Sequence, residues 1–179
     1  SASCRLGQLN SAISITPVQI KIDPESIEGL VSGVDLVVDG CDNYPARKVL
    51  NRACLAHHLP WIFGGVKGFD GMISSFVPGA SPCFECIISD PDKPDPHKKN
   101  TPARNNGILG ATAGIIASMQ AMEAIKLLLN IGTPLTNRLA RVSGLDMRIT
   151  TITLTPNPDC RACPGITRQK QGEKNDHPI

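Results

Sequence analysis

Two cysteine pairs, Cys83-Phe-Glu-Cys86 and Cys160-Arg-Ala-Cys163, constrain this chain more than anything else in it. One C-x-x-C knuckle brings two thiolates to a single ion. Two knuckles complete a tetrahedral set for Zn²⁺, whose filled d shell imposes no geometry of its own. The expected ligands are therefore Cys83, Cys86, Cys160 and Cys163. The pairs stand far apart in sequence, so a shared metal would tie distant parts of the fold together and would not form a local finger. Four thiolates leave no coordination position open, which makes the expected zinc structural and not catalytic. A redox dithiol at either pair is the alternative. The metal is favoured because both pairs occur together, each beside proline and turn residues and not at a helix N-terminus. Cys4, Cys41 and Cys54 bring the total to seven, an odd number that argues against a disulfide framework. A reducing compartment, the cytoplasm, is the expected location.

A length of 179 residues with 41% apolar content is enough for one buried core. Net charge is +2 and aromatic content 3%, so neither a nucleic-acid nor a membrane partner is expected. The longest apolar stretch, residues 108–129, is interrupted by Gln120, Glu123 and Lys126. That pattern suits a buried helix better than a membrane span.

Elements of helix and strand character alternate along the chain. Residues 13–22 are β-branched and alternating, with Pro17 marking an edge or bulge. Asp23-Pro24-Glu25 opens a short helix through Val31. Residues 36–38 form an apolar run expected to be a strand buried on both faces, and Gly40 then breaks it. Asn43 can cap a following helix with Pro45 in its first turn, running to about His57. His57 and His58 read as favourable charges at that helix end. Residues 61–63 are another apolar strand, and the alternation specifies a parallel, doubly wound α/β sheet. Residues 64–71 form a glycine-rich turn that includes Lys67. It is either a plain hairpin connection or a place where a ligand or a carrier tail approaches the backbone. Residues 89–106 read as a long loop, and residues 107–130 as a helix apolar nearly all round, with Gly110, Gly114, Ala117 and Ala121 along one side. Two antiparallel strands are expected around Gly144, and a disordered tail over 166–179 after a domain spanning 1–165.

In open parallel sheets, ligands sit beyond the carboxyl ends of the strands. Asp39, Asp42 and Asn43 fall there after the 36–38 strand. Two carboxylates suit a magnesium-bound nucleotide, because hard cations take oxygen ligands. Asp42 and Asn43 could equally be no more than helix caps.

Asp39-Gly-Cys-Asp42-Asn43, followed by Arg47, resembles the D-x-x-D-N-x-x-x-R segment of the ThiF/MoeB/HesA family. These are carrier-protein adenylyltransferases, similar to the adenylation domain of ubiquitin-activating enzymes. The resemblance extends to the second cysteine pair and covers most of residues 1–164. It implies a Rossmann-like mixed, mostly parallel sheet with a zinc-tied C-terminal part. In the family a glycine-rich phosphate turn, an acidic ribose contact, an Arg and a Lys lie upstream of the helix that Arg5, Leu6 and Leu9 match. The fold is thus expected to be N-terminally incomplete, the C-terminal part of a larger or split enzyme. The implied reaction is ATP-dependent adenylation of the C-terminal glycine of a ubiquitin-like, often sulfur-carrying, protein. Asp42 would orient Mg²⁺, Asn43 would assist at the nucleotide, and Arg47 would brace Asp42 or touch phosphate. Ala103 stands where many members carry a reactive cysteine, which argues against thioester chemistry. The rival reading is a non-catalytic, zinc-stabilised half that binds a carrier or partner subunit. A homodimer, or pairing with an N-terminal fragment, is expected from the apolar helix.

Overall fold

In the computed structural model, which describes residues 2–88 and 107–163, the elements run α1 (Ala2–Leu9), α2 (Ile27–Val31), β1 (Val37–Val38), α3 (Tyr44–Ala56), β2 (Trp61–Lys67), β3 (Asp70–Phe76), α4 (Phe84–Ile87), α5 (Gly110–Leu129), β4 (Arg138–Ser143) and β5 (Arg148–Thr153). The expected loop around Ala103 and the expected tail over 166–179 lie outside the described residues.

The strands form one sheet in the order β1-β2-β3-β4-β5. Only β1 and β2 are parallel, with Val37 opposite Trp61 and Val38 opposite Ile62. The pairs β2–β3, β3–β4 and β4–β5 are antiparallel. The mixed α/β architecture is as expected, but the mostly parallel sense is corrected. Parallel neighbours need a crossover helix, and α3 supplies one between β1 and β2. Beyond that point β2 and β3 are joined by a tight turn at Gly68 (φ +59°), and β4 and β5 by another at Gly144, so the strands must reverse.

Two further expectations fail near the amino end. Residues 13–22 have no strand partner among the described residues, and Ile13, Val18 and Ile20 are more than half exposed. Alternation prepares a segment for a ladder, but only a neighbour makes it a strand. For the same reason β1 is a short edge strand, and Val38 is exposed on it where burial on both faces was expected.

Five of the six aromatic residues form one knot. Trp61 and Phe76 lie 5.1 Å apart, Phe63 and Phe84 5.5 Å, and Tyr44 and Phe84 5.6 Å. The knot joins β2, β3, α3 and α4 on one face of the sheet.

The other face carries α5. Its buried residues are Thr112, Ile116, Gln120 and Glu123. The glycines of the 64–71 segment admit this helix. A Cβ on Gly64 would stand 2.5 Å from the Gln120 amide carbon, and one on Gly71 would stand 2.5 Å from Ile116 Cδ1. The hairpin reading therefore holds, and the close approach is that of α5. The helix begins at Gly110, later than expected, and ends on Asn130 in the left-handed region at φ 53°. Its outer face is uncovered among the described residues. Met122, Ile125, Leu128 and Leu129 are each more than half exposed, and Gly110, Gly114, Ala117 and Ala121 also face outward.

Glu123 anchors the inner face. Its Oε2 accepts from Ser75 Oγ at 2.7 Å and from Leu135 N at 2.6 Å, and Lys126 pairs with its carboxylate. Replacing Glu123 by Leu would leave the Ser75 hydroxyl and the Leu135 amide without an acceptor. We expect a loss of about 3 kcal/mol or more in chemical denaturation.

Candidate functional site

β1 ends at the point where a side-chain network replaces the ladder. Asp39 is 3% exposed. Its Oδ1 accepts from Cys41 N at 2.7 Å, which closes a tight turn over Gly40. Its Oδ2 accepts from Arg47 Nε at 2.7 Å. Arg47 reaches back from the first turn of α3, and its Nη2 donates to the carbonyls of Cys41 and Gly64. The guanidinium also lies 5.0 Å over the Phe63 ring. A buried carboxylate is unfavourable without a countercharge, and Arg47 supplies one in a fixed geometry. Arg47 therefore braces Asp39 and not Asp42, which was one of the two roles expected of it.

Asp42 and Asn43 sit just beyond. Asn43 is the N-cap of α3, its Oδ1 accepting from Ala46 N at 2.9 Å, with Pro at the start of the helix. Asn43 Nδ2 donates to Asp42 Oδ1 at 2.8 Å. Asp42 is exposed. Both residues line a cleft of about 680 Å³ that Lys21, Asp23 and Leu30 also line. Asn43 thus caps the helix as the simpler reading had it, while Asp42 is the one carboxylate of the pair facing solvent. His57 ends α3 and its Nε2 lies 2.6 Å from Glu28 Oε2 on α2, a structural contact. A second groove of about 830 Å³ runs along the aromatic face of the sheet, with Arg47, Lys67 and Arg141 at its border.

Cys41 lies within the turn. Burial, reinforced by the Asp39 carboxylate, pushes its thiol up to about 11. Burial does the same to Cys54, to about 12. Neither is a ready thiolate at neutral pH.

The four paired cysteines converge. Cys83 Sγ lies 3.8 Å from Cys86 Sγ and 3.7 Å from Cys160 Sγ, and Cys86 Sγ lies 3.3 Å from Cys163 Sγ. All four ligand atoms fall within 4.8 Å of one another. A tetrahedron with Zn–S arms of about 2.3 Å has edges of about 3.8 Å, so the four sulfurs fit one metal ion. Residues 77 apart in sequence are joined in this way. The first knuckle hangs from α3. Fully buried Asn51 accepts from Phe84 N at 3.1 Å and donates to Glu85 Oε1 at 3.2 Å, and Arg52 Nε donates to the same Glu85 oxygen at 3.1 Å. Burial raises the Cys83 thiol to about 11, so a metal must displace a firmly held proton there.

Gln120 was not a candidate site residue from sequence, although it contacts the same turn. Its sequence signals are a polar residue inside a largely apolar helix and a place at the start of the 120–126 stretch that matches a buried helix of the family, and neither points to the turn.

Several known proteins resemble this chain. SAMP-activating enzyme E1 of Haloferax volcanii is 36% identical over 163 residues, covering 91% of this chain and 59% of the relative. The sulfur carrier protein adenylyltransferase of Thermus thermophilus is 30% identical over 175 residues, with 95% and 64% covered. Adenylyltransferase and sulfurtransferase MOCS3 of Bos taurus is 30% identical, with 91% and 35% covered. The chain thus spans about one third to two thirds of these relatives' lengths. Among solved structures, E. coli MccB matches with a TM-score of 0.75 at 19% identity, covering 97% of this chain and 51% of MccB, a likeness of fold. The model of the ThiF family matches residues 1–162, and the chain belongs to that family.

Proposed function

We propose that this chain forms part of an enzyme that adenylates the C-terminal glycine of a ubiquitin-like, sulfur-carrying protein at the expense of ATP. The observation that carries the reading is the division of labour at the end of β1. Asp39 is consumed by Arg47 and the Cys41 amide, while Asp42 stands exposed at the lip of the adjoining cleft. The names of the relatives, which include carrier-protein adenylyltransferases, support the same reaction. Asp42 would take Mg²⁺ through oxygen, and Asn43 would hold Asp42 in place while capping α3. Bound magnesium would neutralise charge on the triphosphate. A carboxylate oxygen of the carrier attacks the α-phosphorus, the bond to the bridging oxygen breaks, and pyrophosphate leaves with that electron pair. Arg47 acts indirectly, by fixing the turn. The sheet-face groove beside Lys67 and Arg141 has room for an extended carrier tail. The reaction belongs in the cytoplasm.

In the full-length protein, Asp42→Ala should abolish ATP–pyrophosphate exchange and leave the melting temperature within a few degrees of wild type. Exchange that survives the substitution would reduce Asp42 to a turn residue. A full-length protein without any exchange would favour the rival, a non-catalytic half that binds a carrier.

The cysteine centre is assigned zinc with a structural role, because all four ligands are protein thiolates and no position is open. Purified protein should contain one zinc per chain by mass spectrometry, and Cys160→Ser should lose it. The melting temperature should fall sharply, since structural zinc contributes on the order of 10 kcal/mol to folding.

The uncovered face of α5 is assigned to a second copy of the chain or to an N-terminal fragment, and light scattering tests the first. Its exposed Met122, Ile125 and Leu128 would be unfavourable in water, and the small residues around Ala117 permit close approach of another backbone. Ala117→Arg should convert a dimer to a monomer in light scattering across a dilution series. A protein that is monomeric at every concentration before the change would refute the second copy.

A further inference from the structure

Gln120 occupies a position that the helix pattern does not explain. It lies on the inner face of α5, 6% exposed, between Ile116 and the sheet-anchored Glu123. Its Nε2 donates to the carbonyl of Asp39 at 2.8 Å and to the carbonyl of Ile62 at 3.1 Å. β1 contributes only two residues to the parallel ladder. The last backbone bond in line runs from Asp39 N to Ile62 O at 2.9 Å. Beyond it the chain turns at Gly40, and the side-chain amide of Gln120 bridges the two strands from below. From above, Arg47 spans the same gap between the Cys41 and Gly64 carbonyls. The turn bearing Asp42 is thus clamped from both faces of the sheet. Gly64 completes the fit, because any side chain there would collide with the Gln120 amide.

We propose that Gln120 is a positioning residue that fixes the height and direction of the 39–43 turn, and through it the Asp42 carboxylate. The inference rests on the adenylation reading for its catalytic consequence, but its structural half is testable alone. Gln120 lines neither the cleft at Asp42 nor the sheet-face groove. It acts on Asp42 through the Asp39 carbonyl. Its donors are what matter, because both of its partners are carbonyl oxygens, which only accept. Methionine preserves the shape and removes the donor. Glutamate keeps the shape too, but when ionised it sets negative oxygen against two carbonyls. When protonated it regains one donor. The charges facing that position are Asp39 with Arg47 at the β1 end and Glu123 with Lys126 one turn along α5.

The test uses the full-length protein with Gln120→Met and Gln120→Glu. Amide hydrogen exchange at Asp39 and Cys41 should speed up in both variants, while the amides of β3 and β4 keep their protection. In ATP–pyrophosphate exchange, kcat should fall about tenfold or more with the KM for ATP little changed, the signature of a misplaced group and not of lost binding. The deficit of the Gln120→Glu protein relative to wild type should shrink as the pH falls from about 8 to about 6, because burial facing acceptors raises a carboxyl above its ordinary value and it donates once protonated. The Gln120→Met deficit should not change with pH. Unchanged amide exchange at Asp39 and Cys41, or a Gln120→Glu deficit equal at both pH values, overturns the proposal. If Gln120→Met proves too unstable to assay, the pH comparison of Gln120→Glu decides. A wild-type protein inactive in exchange whose turn still loosens in the variants would refute the adenylation reading and leave the clamp intact.

Discussion

The ion pair between Asp39 and Arg47 holds the site end of the molecule together. A carboxylate this deeply buried would be unfavourable by several kcal/mol without a partner. Arg47 meets it through Nε and spends Nη2 on two backbone carbonyls, so one planar group ties the end of β1, the start of α3 and the middle of β2. Lysine would not replace it, since a point charge on a flexible stem cannot span three acceptors in a plane. The Phe63 ring beneath the guanidinium fixes its remaining freedom. This arrangement also sorts the chemistry. Asp39 is used up in structure, and Asp42 is left for whatever enters the cleft.

The same ring links that end of the fold to the cysteine centre. Phe63 packs on Phe84, which sits between Cys83 and Cys86, and Phe84 N is held by the buried carboxamide of Asn51 on α3. The helix whose first turn carries Arg47 therefore carries the support of the first cysteine knuckle one turn later. A metal at the four sulfurs would restrain the middle of α3 as Arg47 restrains its start. This explains how an aromatic content of only 3% is enough, because nearly all of it is concentrated at this junction.

α5 is apolar on both faces, with Ile116, Met119 and Leu127 against the sheet and two polar residues set among them. Gln120 and Glu123 face the sheet, each bonded to backbone, and a row of large apolar side chains faces outward. Polar groups are tolerated inside because every one of them has a partner there. The glycines at 64 and 71 let the helix lie close enough for those bonds to form.

The local chemistry was legible from the sequence. The strand–turn–helix around Asp39 to Arg47, the cap at Asn43 and the hairpins at Gly68 and Gly144 follow from short-range rules of turn, cap and periodicity, and the structure has them. The two C-x-x-C pairs announced that four thiols should meet, because the knuckle geometry is itself local. Strand direction was not legible. An apolar run such as 61–63 reads the same whether its neighbour is parallel or antiparallel, and only the pairing of whole strands decides. The same holds for residues 13–22, which have the pattern of a strand and no partner among the described residues. Arg47 was expected to brace Asp42 or touch phosphate. Burial of Asp39 redirected it, and burial is a property of the assembled fold. Gln120 and Gly64 lie on different elements 56 positions apart. Their contact exists only once α5 is laid on the sheet, since side-chain hydrogen bonds across elements depend on distances that no run of residues encodes alone.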